Sequence, residues 1–116
     1  MKNVFNKKGV AYDTCMVIRE DGSRRITHNQ EEYFMSNPIR TKLDAYTLSG
    51  DGIKSYAFLD RRRNFISGER VTGDVIVDTS GEDIYFLVIC GLVDNLDEIM
   101  VLDEGVESVT EYVGVS

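Results

Sequence analysis

Tryptophan is absent from the chain, histidine and proline occur once each, and cysteine occurs twice. Each scarcity closes off some chemistry. Paired carboxylates can run glycoside hydrolysis, but that needs a sugar-sized groove usually lined with aromatics, and no tryptophan is present to line one. The single imidazole, His28, has no serine or cysteine partner in a recognisable motif, so it reads as a strand-end histidine rather than a general base. Cys15 and Cys90 lack metal-like spacing and flanking basic residues, so they form neither a zinc site nor an activated nucleophile. Both lie in apolar, strand-like runs and are expected to be buried thiols; a single disulfide between them stays open if their strands are neighbours. No GxxxxGK[ST] or GxGxxG phosphate cradle occurs. The longest apolar run, residues 84–93, is broken by Gly91 and falls short of the roughly 18 residues of a membrane span. Residues 1–9 carry Lys2, Lys7 and Lys8 without an apolar core, which is not a secretory signal and implies synthesis in a cytoplasm.

Helix formers are also scarce, with three Ala, seven Leu and one Gln. Val, Ile, Thr, Tyr and Phe together make 40 of 116 residues. That balance predicts an all-β protein. The length fits one domain, read as an N-terminal arm over residues 1–9 and a single β domain over residues 10–116.

Basic residues are missing altogether beyond Arg70. Residues 1–70 hold all 13 Lys and Arg and nine acids, 13 minus 9 or +4, whereas residues 71–116 hold eleven acids and no base, or −11. Such asymmetry permits three readings. Acidic and basic hairpins can pair within one monomer; a basic face can meet the acidic face of the next copy in a ring; or an acidic face can stay open and repel or imitate nucleic acid. Nucleic-acid binding is disfavoured, because no basic patch interleaves with aromatics apart from Arg61, Arg62 and Arg63.

Alternation and turn residues predict about four hairpins. Residues 10–20 and 23–28 flank Asp21-Gly22, which suits a type I′ turn. Residues 29–37 read as a helical turn or loop ending at Pro38, with Tyr33 and Phe34 covering one end of the fold or touching a partner. Residues 39–48 alternate and pair with 53–59 through the turn Ser49-Gly50-Asp51-Gly52. Residues 60–73 form one long irregular loop carrying the arginine tract, the segment best suited to function. Residues 74–79 and 84–90 make a third hairpin whose second arm, apolar on both faces, is a central strand. Residues 98–102 and 106–115 make a fourth. The sum is a small antiparallel β-barrel or sandwich. Asp94, Asp97 and Glu98, and separately Asp103 and Glu104, offer oxygens to a hard cation, but their spacing is not that of an EF-hand and a solvated acidic loop is expected. No cofactor and no metal are expected.

The succession Tyr56-Ala57-Phe58-Leu59, Phe65-Ile66, Gly73-Asp74-Val75-Ile76, Gly81 and Ile84-Tyr85-Phe86-Leu87-Val88 resembles the head-completion, head-tail connector or stopper proteins of tailed bacteriophages. The resemblance implies a small β-barrel with a long loop that packs as a ring below the portal and carries no catalytic residue. It makes Gly73, Asp74, Gly81 and Tyr85 structural. It implies a non-enzymatic structural subunit of the virion neck, assembled in the host cytoplasm and lacking any membrane attachment. Expected partners are further copies of the chain, portal or adaptor proteins and tail proteins, with DNA passing an acidic wall without specific binding. Contact residues are expected at Arg61, Arg62 and Arg63, Tyr33 and Phe34, and at Glu107 and Glu111 in the acidic third. The alternative is an acidic inhibitor that mimics nucleic acid or blocks a host nucleic-acid enzyme.

Overall fold

A computed structural model describes residues 2–104. The fold is all-β, with antiparallel strands β1 (Ala11–Tyr12), β2 (Thr14–Ile18), β3 (Arg24–His28), β4 (Tyr33–Met35), β5 (Ile39–Arg40), β6 (Ala45–Ser49), β7 (Ile53–Leu59), β8 (Phe65–Arg70), β9 (Val75–Asp78), β10 (Phe86–Leu92) and β11 (Met100–Leu102). Among the described residues the sheets do not close into a barrel. Of the two predicted architectures the sandwich is the one formed.

A six-stranded sheet runs β1-β4-β10-β7-β8, with β5 also paired to β10. Its two faces are covered by different layers. On one side lies the three-stranded sheet β11-β6-β9, and the shared core contains Phe34, Leu48, Tyr56, Val77, Leu87 and Val101. On the other lies the two-stranded ribbon β2-β3, packed through Met16, Ile18, Ala57, Leu59, Val88 and Cys90. Alternate residues of β10 therefore enter opposite cores, Leu87 and Ile89 one and Val88 and Cys90 the other. This is why 84–90 reads as an unbroken apolar run, and β10 is the central strand that the run predicts.

Several predicted pairings are corrected by this layering. Residues 10–20 are not one strand: Asp13 takes a φ of 57°, so β1 joins the large sheet and β2 the ribbon. The β2–β3 hairpin itself forms, but Gly22 alone in its turn has a positive φ, 85°, and its N–H donates to Arg19 O at 2.9 Å. That is a type I turn closed by a left-handed glycine, not the type I′ turn expected from Asp-Gly. Residues 33–35 are a strand rather than a helical turn or loop, and β6 does not pair with β7. Nor does β9 pair with β10; it lies against β6. The expected long loop 60–73 is divided into two short connections, residues 60–64 and 71–74, because 65–70 is β8, paired with β7. Residues 2–5 are no free arm: Val4 N–H donates to Val101 O at 2.8 Å, and Phe5 is 1% exposed in the core. The predicted return strand over 106–115 lies outside the described residues.

The Ser49-Gly50-Asp51-Gly52 corner thus carries the chain between sheets instead of closing a hairpin. Gly50 has a φ of 116°, and a Cβ there would stand 2.6 Å from Glu98 O. Both the left-handed backbone and the approach of another main chain require glycine. Gly50→Ala is expected to destabilise the fold by about 3 kcal/mol, from strain and displaced backbone together. Urea melts of the two chains check this; a loss under about 1 kcal/mol contradicts such crowding at Gly50.

Candidate assembly surface

The loop joining β7 to β8 is organised by Asp60. Its carboxylate accepts the Arg62 and Asn64 N–H groups, each at 2.9 Å, while Arg63 N–H donates to Asp60 O at 2.9 Å. The amide of Asn64, then that of Arg62, holds the Asp60 carboxyl below the usual aspartate range. Arg63 accepts a φ of 67° to complete the turn. Arg61, Arg62 and Arg63 are consequently exposed at a tightly built tip.

Arg63 turns back over the Phe86 ring, 5.1 Å from its centroid. Arg40, from β5, lies 4.6 Å from the Tyr85 centroid and 5.9 Å from that of Phe86, and donates to Tyr85 O at 3.0 Å. Cationic planes on aromatic faces are held in place yet keep donors for a partner's carboxylates. Beside them, Arg61 and Arg62 line a cleft of about 280 Å³ with Glu82, Asp83 and Tyr85. On its other side Arg40 borders a groove of about 570 Å³ with Lys2, Lys42, Phe5, Pro38 and Tyr46. One end of the large sheet thus gathers the arginine tract around Tyr85 and Phe86 at the start of β10.

The opposite end of β10 runs into a 3-10 turn, Val93–Glu98, where Asp94, Asp97 and Glu98 are exposed. Lys7 Nζ lies 2.9 Å from Asp97 Oδ1, and Gly50 N–H donates to Asp74 Oδ1 at 3.2 Å, so Asp74 sits at this end too. With Tyr33 registered to Leu92, Glu31 and Glu32 also approach it. β10 spans seven residues, so the two charged ends are separated by roughly 20 Å.

The predicted contact residues therefore divide. Arg61, Arg62 and Arg63 come together with Arg40, Tyr85 and Phe86. Phe34 is corrected: it is 0% exposed, its ring 5.9 Å from that of Phe5, and offers no surface. Tyr33 is half-buried against the ribbon cluster, at the acidic end. Glu107 and Glu111 lie outside the described residues. The charge division along the chain is interleaved in space, because β10 sits between β4 and β5 on one side and β7 on the other. Glu82 and Asp83 thereby reach the arginine loop, and Asp97 reaches Lys7.

Arg40, Tyr85 and Phe86 do not stand out as contact residues in the sequence pattern. Arg40 reads there as one polar position of an alternating strand, and Tyr85 and Phe86 as strand core. Only the Phe86↔Arg40 register brings them together. His28 is exposed at the end of β3, opposite Thr14. Among the described residues no group of three or more His, Cys, Asp or Glu side chains is placed to hold a metal ion, and no helix is long and apolar enough to cross a membrane. The chain matches no protein-family model, no curated protein and no solved structure.

Proposed function

We propose that this protein is a non-enzymatic assembly subunit whose copies associate head to tail into a ring, in the neck of a tailed-phage virion between portal and tail proteins. The observation that carries the reading is the opposition of two charged ends along β10. Arginines on an aromatic platform occupy one end, and the Asp94, Asp97 and Glu98 turn occupies the other. Unlike patches on opposite ends make a heterologous contact, which closes into a ring when the rotation between copies permits. Complementary charge of this kind sets register and orientation more than affinity. The phage setting is supported by the resemblance carried by residues 56–88.

Sedimentation velocity across protein concentration and salt tests the reading. A ring-sized species that weakens with salt is expected, since exposed charge pairs are screened. Charge reversal of Arg61, Arg62 and Arg63 to Glu, or of Asp94, Asp97 and Glu98 to Lys, is expected to leave monomer. Mixing the two reversed chains restores association, because each keeps the end that the other lacks. A monomer at every concentration, indifferent to portal and tail proteins, overturns the proposal.

A further inference from the structure

The β2-β3 ribbon shares no ladder with either sheet, so its attachment rests on side chains. Three of them reach the backbone of β2. Cys90 Sγ accepts the Met16 N–H at 3.3 Å, Ser55 Oγ donates to Met16 O at 2.9 Å, and Arg70 Nε donates to Ile18 O at 2.8 Å. The sulfur of Cys90, on the central strand, therefore sits against the ribbon at the residue following Cys15. Cys15 packs on the cluster that contains Cys90, and its proximity is one of the influences that raise the Cys90 thiol. Both are free, Cys90 buried and Cys15 half-buried.

We propose that Cys15 and Cys90 form an intramolecular disulfide that fastens the ribbon to the central strand when the protein meets a low-molecular-weight disulfide such as oxidised glutathione. The order of events follows from access. Cys15 thiolate attacks one sulfur of the oxidant, forming a mixed disulfide and releasing one glutathione thiolate. Cys90 thiolate then attacks Cys15 Sγ, forming the internal bond and releasing the second glutathione thiolate. The two protons lost by the protein thiols end on the two glutathiones, and the oxidant is reduced as the thiol pair is oxidised. Burial pushes the Cys90 thiol up to about 12, so the second step is slow at neutral pH and quickens as pH rises. A bond between segments so distant in sequence restricts the unfolded chain strongly.

The test is incubation of the full chain with oxidised glutathione, read by intact mass, non-reducing peptide mapping and thermal melting. Expected are the loss of two hydrogens, one peptide pair linking Cys15 to Cys90, no covalent dimer, and a melting midpoint raised by roughly 10 °C. Cys90→Ser is expected to stop at a glutathione adduct on Cys15. Should that variant fail to fold, Cys15→Ser serves, and is expected to leave Cys90 unmodified over the same period. A stable Cys15–glutathione adduct in the unsubstituted chain, a disulfide-linked dimer, or a linked monomer that melts no higher than the reduced one overturns the proposal.

Discussion

Phe34→Ala is expected to destabilise the protein by about 3–5 kcal/mol, the range for deleting a fully buried aromatic ring. The side chain is 0% exposed, stacks obliquely on Phe5, and closes over the bare main chain of Gly91, where a Cβ would come within 3.2 Å of the ring. Its loss leaves a cavity between the large sheet and the β11-β6-β9 sheet that β10, pinned by partners on both edges, cannot collapse to fill. The melting midpoint is expected to fall by roughly 15 °C. Tyr33→Ala, one residue away on the opposite face of β4, removes only a half-buried side chain and is expected to cost about 1 kcal/mol. Paired urea and thermal melts decide between a core and a contact role for this segment. If Phe34→Ala melts normally but fails to associate, the ring is a contact residue and the placement of β4 is wrong.

The same division between local and distant contacts decides what is legible in the sequence. Residues 84–90 announce a strand buried on both faces, because a strand that is apolar at every position, without alternation, has to be covered on both sides, and β10 is that strand. The hairpin around Gly22 is equally local and equally visible. What stays hidden is which strand crosses to which layer. The corner Ser49-Gly50-Asp51-Gly52 has the composition of a hairpin turn, yet the feature that makes it a sheet-to-sheet corner is the main chain of Glu98 lying against Gly50. Turn residues report a local φ; they carry no information about a partner almost fifty positions away. β8 is hidden for a related reason, since an edge strand with Ser67, Glu69 and Arg70 exposed reads as loop. The assembly surface divides in the same way. Arg61, Arg62 and Arg63 stand out as a run, but Arg40 and its aromatic bed exist only through the pairing of β5 with β10.

Stability is expected to fall steeply as pH rises above 9 under reducing conditions. Burial, with the adjacent Cys15 adding to it and the Met16 amide opposing it, raises the Cys90 thiol from 9.0 to about 12. The unfolded chain releases this proton near pH 9 whereas the folded chain retains it until near pH 12. The stabilisation is therefore complete below pH 9 and is lost progressively through that interval. At about 1.4 kcal/mol per unit of difference, the full loss is on the order of 4 kcal/mol. Tyr56 acts in the same direction. Burial first, and then the neighbouring Glu69, raise its hydroxyl from 10.0 to about 12, with less weight because Glu69 itself is exposed to solvent. Urea melts between pH 8 and 11, run with a phosphine reductant that keeps both thiols reduced, measure the slope. Cys90→Ala begins from a lower plateau, having lost a buried side chain, but is expected to decline less over the same interval, retaining only the Tyr56 contribution. An identical slope in both proteins contradicts a buried thiol at this position. A steep decline that disappears when the reductant is omitted instead reports the covalent link between ribbon and sheet, because a disulfide has no proton to lose.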